Sequence, residues 1–239
     1  MSGLRPSPVM AVLVLLAALA FAASPLLTPG FGGFTPDQFP VPQDHPPVQP
    51  AGYAFAIWGL IYAWLILGAG FGMLARARAV DWAPMRPALA LSLGVGVTWL
   101  PVAMVSPLAA TVLIWVMLVS ALVALAKAPV LDRWLGRAPV ALYAGWLTAA
   151  SSVSIGLLLA GYGLTGAVPA ALVALALALA IALAVLWTVP DAAEYGAGVV
   201  WALVGVMVAN WGEAGPVLLF AALGALVATL AAVDSARRR

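Results

Sequence analysis

The sequence predicts an all-α polytopic membrane protein that crosses the bilayer eight times, with both termini on the cytoplasmic side. Three observations predict it. Hydrophobic residues make up 65% of the 239-residue chain and charged residues only 8%, with a mean hydropathy of +1.13; a soluble domain carries roughly a quarter of its residues charged. Eight apolar runs approach the ~20 residues that a helix needs to cross hydrocarbon. The basic residues are also sorted: with the N-terminus inside, all ten Lys and Arg fall on one side.

The first run, Val9–Leu27, follows Arg5 and ends near the small-residue triplet "AFA". This pattern also fits a cleavable signal peptide, whose removal would leave seven spans with the N-terminus outside. The next runs are Ala51–Leu74, Pro87–Val105 and Leu108–Ala126, then Pro139–Ala160 and the almost wholly Ala/Leu/Val run Ala167–Val189. Gly196–Trp211 and Pro216–Val233 complete the set. The connections are Pro/Gly-rich or charged. Arg76, Arg78, Arg86, Lys127, Arg133, Arg137 and Arg237–Arg239 lie in inside segments, whereas the outside loops Thr28–Pro50, Ser106–Pro107, Gly161–Gly166 and Gly212–Gly215 hold no Lys or Arg.

Charge and composition also exclude functions. The pI is near 9.3, but the net charge is only +2 and the basic residues form no groove-like patch, so a nucleic-acid partner is not expected. The chain has no cysteine, hence no disulfide or thiolate metal site. No charged residue or histidine sits inside a span, which argues against an ion- or proton-driven carrier and leaves no acid–base or nucleophilic constellation. His45 lies in the Pro-rich outer loop and reads as a solvated residue. No phosphate-binding loop or zinc motif is present, and neither a cofactor nor a metal is expected. Gly68 and Gly72 form a small-xxx-small pair that marks close helix packing, within the protomer or across a homodimer.

Ten tryptophans are many for this length. Trp82, Trp134, Trp187 and Trp211 lie near span ends and read as interface anchors. Trp58, Trp99 and Trp115 differ: each lies about 10–12 Å below the outside end of its span, on three consecutive spans at one level. Trp64 and Trp146 lie deeper. Phe55, Trp58 and Tyr62 share one helix face, as do Tyr143, Trp146 and Ala150, and Ser151, Ser152 and Ser154 follow on the fifth span. Such a layer suits a flat, largely apolar ligand with a few polar atoms. Rings at helical spacing also pack simply against neighbouring helices, and the serines also bond to backbone.

The motifs that carry the aromatics resemble those of a known family. "PAGYAFAIWGLIY" is similar to the Pro- and Trp-rich segment opening the second helix of the tryptophan-rich sensory protein, or translocator protein (peripheral benzodiazepine receptor), family. Gly52, Phe55, Trp58 and Tyr62 match in order, Tyr53 stands for a Trp, and one residue is missing between Phe55 and Trp58. "GFGGFT" resembles the Gly-rich stretch after the family's first helix, which favours keeping Val9–Leu27 as a span. "TWLP" (Trp99, Pro101) resembles the third helix, and "RAPVALYAGWLTAASSVS" the fifth, with Arg137, Tyr143 and Trp146 in place. The family's asparagines on the third and fifth helices are absent, since Asn210 is the only asparagine.

The resemblance covers roughly residues 9–160. It implies a translocator-protein-like five-helix membrane domain over residues 1–162, followed by a three-helix C-terminal extension over residues 163–239. It further implies an integral membrane receptor or carrier, not an enzyme, in a bacterial cytoplasmic membrane. The ligand would be hydrophobic and planar, tetrapyrrole- or sterol-like, held by Tyr53, Phe55, Trp58, Tyr62, Trp99, Trp115, Tyr143, Trp146 and Ser151, with the loop Thr28–Pro50 as a lid. A small-molecule permease, light-dependent porphyrin breakdown and a ligand-free structural role are the alternatives. In the extension, Asn210 and Glu213 are the polar groups expected to matter.

Overall fold

The computed structural model describes residues 6–28, 32–213 and 215–238. Eight helices follow one another: α1 (Pro8–Leu27), α2 (Ile57–Leu74), α3 (Arg86–Ala103), α4 (Pro107–Ala126), α5 (Ala138–Gly161), α6 (Ala167–Thr188), α7 (Ala193–Ala209) and α8 (Gly215–Arg237). No strand occurs among the described residues. Prolines open α1, α3, α4 and α5 at positions where the missing N–H has no intrahelical partner to lose. Ser106 caps α4 by accepting from the Ala109 amide at 3.2 Å.

The helices form two rings that share α5. In the first, α1 lies between α2 and α3, and α4 bridges α3 to α5; in the second, α5, α6, α8 and α7 close on one another. The common axis is possible because α5 is rich in Ala, Gly and Ser, so neighbouring backbones approach closely and α5 is buried over most of its length. A Cβ on Gly145 would overlap the Tyr195 carbonyl oxygen, and one on Gly198 would sit 2.8 Å from the Trp146 amide. The Tyr195 hydroxyl donates to Thr148 Oγ1 at 2.8 Å across the same crossing, since the Thr148 hydroxyl is itself committed to the Ala144 carbonyl.

Seven helices are long and apolar enough to cross a membrane, and α7 is apolar but only 17 residues long. Its contacts nonetheless run from one end of the bundle to the other. Asp191 and Glu194, at its start, pair with Arg133 ahead of α5 at 2.9 and 2.7 Å. Asn210, at its end, donates to the Pro47 carbonyl in the opposite loop at 2.8 Å. The predicted span Gly196–Trp211 therefore begins three residues early, at Ala193, because this ion-paired turn is helical despite its polarity. Lipid meets the outward Leu and Val faces, such as Leu60, Leu67, Val112, Val119 and Leu230, and the chain is an integral, multi-pass membrane protein. Reporters in the Arg76–Arg86 loop and after Arg239 are both expected to read cytoplasmic; finding them on opposite sides would remove one crossing.

The basic end is latched as well as charged. Arg76 grips Asp132 with Nε and Nη2 at 2.8 and 3.1 Å, and the Trp82 indole donates to the same carboxylate at 2.8 Å. The Arg76 guanidinium holds the Asp132 carboxyl below the usual carboxylate range against the opposing effect of burial, with Trp82 adding to the lowering. Arg86 donates to the carbonyls of Gly72, Arg76 and Ala77, and Arg137 to those of Ala128, Pro190 and Asp191. Trp82 is thus a correction: it is buried with its N–H bonded inside the protein, whereas Trp134, Trp187 and Trp211 are exposed near the helix ends. Gly68 and Gly72 lie against the Leu135 carbonyl and the Trp82 ring of the same chain, so this pair supplies no dimer face.

Candidate ligand cavity

The segment that opens the second span begins as a 3-10 turn, Gly52–Ala56, before α2 takes over at Ile57. That turn, with α1, α2, α3, α4 and α5, borders a cavity of about 470 Å³ in the outer half of the first ring. From the α2 segment come Phe55, Trp58, Gly59 and Tyr62; from α3, Trp99 and Leu100; from α4 and α5, Ile114, Met117, Trp146 and Ala150. The wall on the α1 side is Phe21, Ala22, Pro25 and Thr28. A smaller compartment of about 70 Å³ shares Phe55, Trp99, Ile114, Trp146 and Ala150, and extends beneath the loop residues Phe34, Gln49 and Pro50.

The rings are arranged as a continuous aromatic floor. Trp58 and Tyr62 stack at 5.3 Å with 19° between their planes, and Phe21 meets both edge-on at 5.6 and 5.1 Å. Trp146 stands edge-on to Phe55 and Trp58 at 6.0 and 6.1 Å. Such T-shaped and offset pairs are the favoured geometries of aromatic quadrupoles and hold the rings in place without charged groups. Trp99 is fixed by its indole N–H, which donates to the Ala110 carbonyl of α4 at 2.9 Å.

Five of the nine predicted site residues border this space: Phe55, Trp58, Tyr62, Trp99 and Trp146. Four do not. Tyr53 turns away to pack edge-on against Trp201 of α7 at 5.7 Å and is 45% exposed, because the 3-10 turn changes the azimuth that an α-helix would have given it. Trp115 lies on the outer face of α4, beside Thr111 and Val119. It shares the depth of Trp58 and Trp99, but Ile114 and Met117 occupy the inward face, and one residue of helix rotates Trp115 away from them. Tyr143 is fully buried beneath the floor, its ring 5.9 Å from Phe21 and its hydroxyl donating to Ser92 Oγ at 2.9 Å. Ser151 donates to the Ile114 carbonyl at 3.3 Å and ties α5 to α4, while Ser152 and Ser154 bond within α5.

Sequence reasoning missed Phe21. It is the only aromatic residue in α1, and Gly96 opposite makes room for it: a Cβ there would meet the Phe21 ring at 2.6 Å. The loop over the cavity is fastened at several points. Gln38 donates to the Ala103 carbonyl at 2.9 Å, the Val41 amide to Gly161 at 2.8 Å, and the Ala51 amide to Gly205 at 3.0 Å. Phe39 packs against Gly161, where a Cβ would overlap its ring. Asn210 completes the fastening through Pro47, whereas Glu213 is exposed. Residues 29–31, which include part of the Gly-rich "GFGGFT" stretch, lie outside the described residues.

No curated protein and no solved structure matches the chain. One family model, described as TSPO-like protein, matches residues 9–233, which takes in α6, α7 and most of α8 beyond the stretch that the motifs cover. With that match across the eight-helix bundle, the chain belongs to the TSPO-like protein family.

Proposed function

We propose that this protein is a membrane receptor or carrier that binds a hydrophobic, planar ligand, tetrapyrrole- or sterol-like, in the aromatic cavity. In this reading the basic loops face the cytoplasm of a bacterium and the cavity lies in the outer half of its membrane. The observation that carries it is the cavity itself. Its volume falls in the range of small-molecule pockets, and its walls offer ring faces with few polar groups. Stacking on Trp58, Tyr62 and Trp99 would hold a flat molecule without demanding charge or a metal. Among the described residues, no carboxylate, imidazole, amine or guanidinium lines either compartment, which favours binding over acid–base catalysis.

The test is titration of the detergent-purified protein with a porphyrin and with a sterol, read by quenching of tryptophan fluorescence or by competition. Saturable binding near one ligand per protomer is expected, weakened when Trp58 and Trp99 are both replaced by Ala. Absence of saturable binding by either class would overturn the proposal.

A further inference from the structure

The distribution of charge around the cavity narrows the class of ligand, given that the cavity is the binding site. Its polar wall groups are all uncharged. Tyr62 and Thr28 border the main compartment, Gln49 and Ser154 the smaller one, and Trp146, with its indole N–H, borders both. The Thr28 hydroxyl and the Trp99 indole are already committed to the carbonyls of Ser24 and Ala110. On the outer side of the membrane the loops contain Asp37, Asp44 and Glu213, and neither Lys nor Arg.

The basic residues among those described lie at the other end of the bundle, about 30 Å from the outer loops along helices of this length. There Arg76, Arg133 and Arg238 are held in ion pairs, and Arg86 and Arg137 donate to main-chain carbonyls. A ligand arriving from the outer side therefore passes loops that carry Asp37, Asp44 and Glu213, with His45 next to Asp44, and meets no cation among the residues that line the cavity.

We infer that the cavity selects uncharged ligands: a planar apolar molecule with neutral polar groups, such as esters, ketones or hydroxyls, is accepted, and one bearing ionised carboxylates is disfavoured. The physical reason is twofold. An ionised carboxylate drawn into this space loses hydration with no cation to replace it. The acidic outer loops add a repulsive field that falls with ionic strength.

The experiment compares two matched pairs on the full-length protein: protoporphyrin IX against its dimethyl ester, and cholesterol against cholesterol hemisuccinate. Binding to the Trp58→Ala/Trp99→Ala variant is subtracted to remove partition into detergent. At pH 8 the neutral member of each pair that binds is expected to bind about ten-fold tighter or more. The gap should close as the pH falls toward the carboxylate range near 4 and the acid becomes neutral. Thr28→Arg, which sets a cation in the cavity wall, should tighten the acid relative to its ester, so that the ratio of their affinities at pH 8 shifts toward the acid. An acid that binds as tightly as its neutral partner at pH 8 overturns the charge selectivity while leaving the cavity as a ligand site. If neither pair binds saturably, the ligand reading and this inference fall together.

Discussion

Gly145→Val should strip α7 from α5 and leave a protein that aggregates in mild detergent, whereas Gly94→Ala should be neutral or slightly stabilising. Both glycines lie in helix interiors, where Gly costs about 0.5–1 kcal/mol relative to Ala through backbone entropy alone. The surroundings reverse the sign. Nothing lies within 4 Å of a Cβ at Gly94, but a Cβ at Gly145 overlaps the Tyr195 carbonyl oxygen. That obstacle is backbone, so no rotamer relieves it, and Gly198 presses from the facing helix against the Trp146 amide. Overpacking a fitted contact costs about 1–3 kcal/mol, and the upper end applies where two backbones must separate. Thermal unfolding followed by size-exclusion chromatography reads the difference. Equal melting of the wild type and Gly145→Val would show that the crossing yields without cost.

The consequence reaches the cavity, because α7 supports its edge. Trp201 donates its indole N–H to the Ala54 carbonyl at 2.8 Å, and Gly205 accepts from the Ala51 amide. Gly205 also lies so close that a Cβ there would meet Ala54 and Pro50 at 2.9 Å. The 3-10 turn that carries Phe55 toward the ligand space is therefore braced by a helix from the C-terminal half of the chain. Asn210 pins the covering loop from the same helix. These contacts give the last three helices a role in shaping the cavity that their composition alone does not express.

What the sequence expressed well was one-dimensional. Apolar run length and the side on which Lys and Arg fall depend only on order along the chain, and the eight helices followed from the run lengths. Ala170, Ala174, Ala178 and Ala182 of α6 do face inward, but nothing in an all-apolar helix tells which stripe will be covered. Azimuth was the quantity missing at the cavity too. Trp115 and Trp99 share a depth, and only packing of α4 on α3 and α5 determines that Ile114 rather than Trp115 turns inward. Trp82 sat where interface tryptophans sit, yet a partner 50 residues away, Asp132, drew its N–H into the protein. Long-range pairings of this kind leave no periodic trace.

Trp58→Ala and Trp99→Ala should each weaken binding of a neutral planar ligand by about 1–3 kcal/mol, on the scale of base–aromatic stacking. This corresponds to roughly five- to over a hundred-fold in Kd. The two rings come from different helices, α2 and α3, so the double variant should lose more than either alone. Trp58 sits in a cluster with Tyr62, Phe21 and Trp146, and its loss also loosens theirs, so Trp58→Ala combined with Tyr62→Ala should fall short of additivity. Trp99→Phe separates two roles: it keeps a ring in the wall but removes the bond to Ala110, and should lower stability more than affinity. Trp115→Ala and Tyr53→Ala remove rings of similar size outside the cavity and should leave Kd unchanged. Tyr143→Phe should cost about 1 kcal/mol of stability through the bond to Ser92, with little change in Kd. Should Trp115→Ala weaken binding as much as Trp58→Ala does, the ligand would lie on the outer face of α4 and not among the five helices.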